Sequence, residues 1–286
     1  MKVLVVHTLP PDQAGEGRIA SEFDLHNAGQ AIGAVLSGAV VAGIRGEPSE
    51  FIELLRVHQP DAVFNLCEAP AGRPSLEPHL AALLEWLQVR FTGARSETLW
   101  LCRRKDLTNA VLAGAGVPIP RESAFPCIVK PADEDGSAGI HNDSVCESEL
   151  EITLARSRIP GLAIVQEFLP GREFAVSLWG QHNPDYFSIC EIVFRRGLRL
   201  QTYAAKWHVE SAEFADSGRY YDSEIEPALR EAIVETARGA WRAVGARHLL
   251  SVDPNTEIAL EDGISLAVEK AGWSWPDFIR KLVEWA

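Results

Sequence analysis

Apolar and polar positions along the chain follow two rhythms. Residues 2–8 (KVLVVHT), 39–45 (AVVAGIR) and 61–67 (DAVFNLC) are short runs rich in β-branched residues. Such runs predict strands buried on both faces. Between them the spacing is helical. Ile32, Val35 and Leu36 share one face of the first segment, and Phe51, Leu54, Leu55 and His58 one face of the second, which opens at Pro48-Ser49. A β-α-β-α-β order predicts a parallel sheet with helices packed on it. The stretch EPHLAALLEWLQ predicts another helix, with Pro78 in its first turn and Leu80, Leu83, Leu84 and Leu87 facing inward. VRFTG then predicts a short strand that closes a first domain near Ala94.

The pattern changes in the second half. Residues 104–116 (RKDLTNAVLAGAG) predict a helix ended by glycine, with Pro118 and Pro120 beyond it. PCIVKP predicts a strand that runs into a loop, followed by a helix around 147–157. LAIVQEFL has period two and ends in a Pro170-Gly171 turn; EFAVSLWG and YFSICEIVF continue as strands, which predicts an antiparallel sheet. A long amphipathic helix at 226–244 is expected to bury Leu229, Ile233, Ala240 and Val244. The last helix, WPDFIRKLVEW, is expected to bury Phe278 and Leu282, and the acidic stretch 209–227 reads as a flexible excursion.

Composition narrows the function classes. The 286 residues suffice for more than one domain, and 47 % hydrophobic residues support a large core. No apolar run approaches the twenty residues of a membrane span, and the N-terminus reads as a first strand and not as a signal peptide. A net charge of −13 without a basic stripe argues against nucleic-acid backbones as partners. The five cysteines are scattered and form no CxxC pair, which argues against zinc and disulfide frameworks and for a reducing, cytoplasmic setting.

The segment CIVKPADEDGSAGI, 127–140, carries the first chemistry. A strand delivers Lys130 to the edge of a loop of small and acidic residues. Phosphate binding needs fixed positive charge and close backbone N–H donors, and small residues let the backbone approach. The loop matches neither a P-loop nor a dinucleotide fingerprint, and taken alone it reads rather as a surface turn after a buried strand.

Six segments taken together resemble the ATP-grasp family, in its D-alanine–D-alanine ligase branch. VFNLCEA, ALLEWLQVRFTGARSETLWLCRRKDLT, AGVPIP, FPCIVKPADEDGSAGI, VQEFLPGREFAVSLWG and TYAAKW occur in the family's order and approximate spacing, over nearly the whole chain. The resemblance implies an α/β chain with two α+β subdomains clasping ATP, preceded by a Rossmann-like domain. The expected limits are 1–94 for the Rossmann-like domain, 95–170 for the small subdomain with a lid loop, and 171–286 for the large catalytic one. It implies that Lys105 and Lys130 hold nucleotide phosphate and that Ser137 belongs to the loop folding over the triphosphate. Glu167 would accept from the adenine amino group, and the backbone of Phe168 and Leu169 would read the adenine edge. Glu173 would hold the ribose hydroxyls, and Lys206 would stabilise the transferring phosphoryl group. The implied activity joins a carboxylate to an amine through an acyl phosphate, with ATP and Mg2+. The expected partners are two small-molecule substrates of unknown identity and a second copy of the chain.

The sequence departs from the family in two places. The family's metal strands carry two acidic residues and an asparagine; here GARHLLSVDPNTEIALEDGI is shorter near 251–256 and leaves Asp253 as the clear ligand, with Ser251 at an altered position. Glu257, Glu261 and Asp262 are possible substitutes or simply a solvated acidic loop. Trp207 stands where tyrosine is common and Gly136 where serine is common, so the family's tyrosine–serine contact cannot form. Glu16 and Glu22 match the substrate-ammonium position only loosely. The competing reading is therefore a nucleotide-binding pseudoenzyme or regulatory protein that has lost most of its metal site.

Overall fold

The computed structural model describes residues 1–9, 16–122, 124–250 and 263–286, and of 16–24 the backbone alone. In chain order the elements are β1 (Val3–Thr8), α1 (Glu16–Val35), β2 (Val40–Ile44), α2 (Pro48–His58), β3 (Ala62–Leu66), α3 (Glu77–Trp86), β4 (Arg90–Phe91), α4 (Ser96–Arg103) and α5 (Lys105–Gly114). There follow β5 (Cys127–Pro131), β6 (Val145–Cys146), α6 (Glu149–Ser157), β7 (Ala163–Glu167), β8 (Glu173–Gly180) and β9 (Tyr186–Phe194). The chain ends with α7 (Tyr203–Trp207), α8 (Ala212–Ala215), β10 (Ser217–Tyr220), α9 (Pro227–Val244), β11 (His248–Leu250), α10 (Gly263–Lys270) and α11 (Trp275–Trp285). They form two compact units. One comprises Met1–Trp100, Val176–Ser188 and Gly245–Ala286; the other comprises Leu101–Ala175 and Ile189–Val244.

The first unit is built on a parallel sheet of order β2-β1-β3-β4. Every residue of β1 and β3 is buried, as their unbroken apolar runs require of central parallel strands, whereas β2 is an edge strand with Val40 exposed. Leu4, Val6 and Val63 pack against Phe51 of α2 and Leu80 and Leu84 of α3. Helix α2 starts on Pro48 and carries Glu50 in its first turn and Arg56 and His58 in its last, matching the helix dipole at both ends. In α3 the buried stripe is Leu80 and Leu84; Leu87 caps the helix and is half exposed, unlike its expected place. Helix α11 buries Phe278, Ile279, Leu282 and Val283, and its N-terminus is capped by Ser274, which accepts from the Asp277 N–H at 3.2 Å.

The second unit contains an antiparallel sheet of order β6-β5-β7 covered on one face by α6. Here β10 also pairs antiparallel with the end of β9, whereas in the first unit β11 pairs antiparallel with the end of β8. Residues 209–227 are not an unstructured excursion. Ser211 caps α8 by accepting from the Phe214 N–H, and β10 pairs Ser217–Tyr220 with β9. Helix α9 is rotated from its expected face. Val234, Trp241 and Val244 are buried while Leu229 is 40 % exposed. At 100° per residue this moves the stripe by about one position, and burying the large Trp241 ring outweighs burying one leucine.

Candidate functional site

Strand β5 places Lys130. Cys127 and Val129 face α6 and pack with Cys146 and Ala155. Period two then puts Ile128 and Lys130 on the opposite face. The register pairs Ile128 with Gln166 and Lys130 with Ile164. Directly paired residues share a sheet face, so Gln166 and Ile164 join Lys130, while Val165 and Glu167 belong to the α6 side. Strand periodicity, visible in the sequence, thus places Gln166 and Ile128 on the sheet face that carries Lys130, positions that motif matching passed over.

Lys105 reaches the same place from a helix start. Its backbone N–H donates to the Ala132 carbonyl at 2.8 Å, pinning the first turn of α5 two residues beyond Lys130. Both ammonium groups are held below the ordinary lysine range, chiefly by burial. The Lys105 charge adds to the effect on Lys130, and Glu173 opposes it. Glu173, at the exposed start of β8, has its carboxyl pushed up by the surrounding protein and drawn back by Lys130. Lys105, Lys130 and Glu173 therefore form one electrostatic cluster. Two neighbouring half-buried cations favour an anion near them, although Asp135, Asp133 and Glu134 already offset part of the Lys105 charge.

The loop after β5 is fastened chiefly by donors to its main chain. Arg103 donates to the Asp133 carbonyl at 2.6 Å and to the Asp135 carboxylate at 3.2 Å. The Lys105 ammonium donates to the Glu134 carbonyl. The Trp207 indole donates to the Gly136 carbonyl at 2.8 Å. Gly136, Ser137 and Gly139 all have positive φ, and Ser137, at +64°, is the residue for which that conformation is costly. A side chain at Gly139 would meet the Pro131 ring at 2.8 Å.

The adenine candidates are arranged differently from one another. Glu167 makes a two-pronged ion pair with Arg121, at 2.8 and 2.6 Å, and its N–H donates to the Arg121 carbonyl. Arg121 holds the Glu167 carboxyl below the usual range. The Phe168 N–H is taken by the Pro126 carbonyl at 2.8 Å, and the Arg199 guanidinium lies 4.9 Å over the Phe168 ring. Leu169 is 61 % exposed. The structure therefore groups Lys105, Lys130, Glu173 and the Ser137 loop; it puts Glu167 at the opposite end of the β5–β7 pair, beside Cys127, and on the other face. Arg121 and Arg103 left no motif in the sequence that would mark them.

Lys206 lies in α7, whose N-terminus is capped by Thr202 accepting from the Ala205 N–H. Its ammonium is 5.1 Å over the Trp207 ring. The Tyr203 N–H donates to the Ile140 carbonyl at 3.3 Å, which joins this short helix to the end of the loop. Gly136 and Trp207, the two positions that lack the tyrosine–serine contact, are joined all the same, by an indole N–H and a carbonyl. Ser251, Asp253, Glu257, Glu261 and Asp262 lie outside the described residues, as do the side chains of Glu16 and Glu22. Among the described residues no group of three or more His, Cys, Asp or Glu is placed to hold a metal ion, and no described helix is long and apolar enough to cross a membrane.

A family model described as "D-ala D-ala ligase C-terminus" matches residues 117–267, more than half of the chain. A D-alanine–D-alanine ligase of a Thermotoga species is 30 % identical over 208 residues, 68 % of this chain and 64 % of that protein. The match thus spans just under two thirds of the relative's length. The crystal structure of a D-alanine–D-alanine ligase from Bacillus anthracis complexed with ATP superposes with a TM-score of 0.73 at 14 % identity, covering 99 % of this chain and 96 % of that one. A D-Ala:D-Ser ligase from Enterococcus faecalis gives 0.74 at 14 % identity, covering 99 % and 98 %.

Proposed function

The chain belongs to the D-ala D-ala ligase C-terminus family and has the α/β ATP-grasp fold of those ligases, and from this premise we propose that it is an ATP-dependent carboxylate–amine ligase. The observation that carries the proposal is the cluster of Lys105, Lys130 and Glu173 beside a loop of small residues. Lys105 and Lys130 would hold the phosphates as point charges, with phosphate oxygens replacing the Glu134 carbonyl at Lys105. The loop around Ser137 would cover them. Glu173 would accept from the ribose hydroxyls. Adenine would lie along the Ile128–Gln166 face and meet the main chain of Phe168 and Leu169, and its amino group would compete with Arg121 for the Glu167 carboxylate.

In the proposed reaction a substrate carboxylate oxygen attacks the γ-phosphorus and the bond to the ADP oxygen breaks, giving an acyl phosphate and ADP. Lys206 and Lys130 offset the charge on the transferring group. An amine then attacks the acyl carbon, phosphate leaves with the bonding pair, and the amine's surplus proton passes to solvent. Magnesium would accompany ATP and neutralise phosphate charge, with Asp253 as its proposed ligand. A homodimer is part of the proposal, to be checked by light scattering.

The test is release of ADP and phosphate from magnesium-ATP, first with D-alanine and then over a panel of amino acids and dipeptides. Release is expected only when a suitable carboxylate is supplied, and hydroxylamine should trap its hydroxamate. Binding of a non-hydrolysable ATP analogue with no release across the panel would favour the non-catalytic nucleotide-binding reading. Failure of the analogue to bind would remove the ATP site itself.

A further inference from the structure

One side chain touches both the loop and Lys206. The Trp207 indole N–H donates to the Gly136 carbonyl at 2.8 Å, and the face of the same ring lies 5.1 Å beneath the Lys206 ammonium. The ring is packed against Gly136, where an added Cβ would be 3.5–3.8 Å from three indole atoms. Two further links tie the same segments together. The Tyr203 N–H donates to the Ile140 carbonyl, and the Asn142 amide donates to Glu213 at 2.7 Å. The second Glu213 oxygen accepts from Thr202, the residue that caps α7. The loop is thus stitched at Gly136, Ile140 and Asn142 to the short helices that carry Lys206, and Trp207 is the member of that set that also contacts the lysine.

We propose that Trp207 is a positioning residue that makes the setting of the loop and the placement of Lys206 a single event. The proposal rests on the reading of Lys206 as the group that meets the transferring phosphoryl. A lysine side chain is a point charge on a flexible four-carbon stem. An aromatic face under its ammonium restricts where that charge sits. The face is fixed in turn because its N–H is spent on the loop. When the loop shifts, the carbonyl of Gly136 moves, the ring follows, and the lysine loses its platform. The coupling uses main-chain carbonyls of the loop, so it survives a change of loop side chain and depends on the indole donor.

Two variants separate the donor from the bulk of the ring. Trp207→Phe keeps an aromatic face and loses the N–H; Trp207→His is smaller and keeps a ring N–H. The measurements are hydrogen exchange of residues 133–141 and the rate of acetylation of Lys206 read by mass spectrometry. Both are made on the free protein and with a non-hydrolysable ATP analogue and magnesium. In the free protein Trp207→Phe is expected to raise exchange and Lys206 labelling together, several-fold each, and Trp207→His to raise them less. With the analogue its Kd should stay within about threefold, while the joint protection of loop and lysine is lost. Where turnover is measurable, kcat should fall by up to ~10²-fold with little change in KM for ATP, the scale expected of a group displaced by about an ångström. The proposal is overturned if Trp207→Phe behaves as wild type in the free protein, if the Phe and His variants are equally impaired, or if loop exchange and Lys206 labelling respond separately. Failure of the analogue to bind the wild-type protein would sink the ATP reading alone, because the free-protein comparison stands without it.

Discussion

Replacing Lys130 with methionine should move stability and binding in opposite directions. Methionine keeps an unbranched stem of similar length and removes the charge. In the folded protein the Lys130 ammonium is disfavoured by burial and by Lys105, with Glu173 giving back part of that loss. Its removal should therefore leave the thermal midpoint unchanged or raised, since an imperfectly compensated buried charge is often replaced by an apolar group without loss. A lysine with a depressed folded pKa destabilises the fold while it is charged in both states. That penalty is relieved as pH rises from the lowered value toward 10.5, because the native state releases its proton first. The advantage of the variant should shrink over that alkaline window. Nucleotide binding should respond the other way. A charge-assisted hydrogen bond contributes about 1.5–3 kcal/mol, and each 1.4 kcal/mol is tenfold, so Kd for an ATP analogue should rise roughly 10- to 150-fold. Calorimetry and thermal unfolding on the same preparations give both numbers. A folded variant whose Kd is within twofold of wild type would show that Lys130 does not meet phosphate. A midpoint lowered by many degrees would show that the lysine serves the fold.

Gln166→Ala should weaken ATP binding and its preference over GTP more than Glu167→Ala does, about fivefold against less than twofold from one hydrogen bond; equal effects, by competition calorimetry, would mean that the strand faces are misassigned. Glu191 has its carboxyl lowered to about 2 by hydrogen bonds from Arg172 and Ser223, so its contribution is full above about 4.5 and fades as pH falls toward 2. With Arg172 45 % exposed, solvent screening leaves on the order of 0.5–1 kcal/mol; Glu191→Gln should cost that in urea unfolding at pH 7 and progressively less below pH 4.5, and a difference constant with pH would contradict the ion-pair account. Asp253→Asn should raise the magnesium concentration needed for nucleotide binding and turnover at least tenfold, and an unchanged magnesium titration would exclude it as a ligand.

The residues legible in the sequence were those whose own side chains carry a rhythm or a charge. The buried runs of β1 and β3 have no polar residue before Asn65 and His7, and they could hardly be anything but central strands. Lys130 was legible because one strand of period two leaves a single charged position at its end. The face of α9 was not, since Leu229 and Trp241 offer competing stripes and only packing decides between them. The Arg121–Glu167 pair was hidden by 46 residues of separation, and it changes what Glu167 can do without changing either letter.

The fastening of the loop was the least legible part, for a physical reason. Its acceptors at Asp133, Glu134, Gly136 and Ile140 are backbone carbonyls. Every residue has one, so no amino-acid type marks the position. The specificity lies in the donors, which are side chains of Arg103, Lys105 and Trp207 and the backbone N–H of Tyr203. Two of those side chains flank Lys105 and Lys206 in the sequence or are themselves the lysine. Apart from the positive-φ positions Gly136, Ser137 and Gly139, and Asp135, whose carboxylate Arg103 also bonds, a loop held in this way depends on its carbonyls more than on its side chains, and so on the residues beside the lysines. Trp207 and Gly136 illustrate the point. Read as side chains they lack a contact, because glycine has none to offer. Read as a donor and a carbonyl they make one at 2.8 Å. Departure from a family's letters at such positions therefore says little about whether the contact survives, and the question to ask of the sequence is which neighbouring residue supplies an N–H.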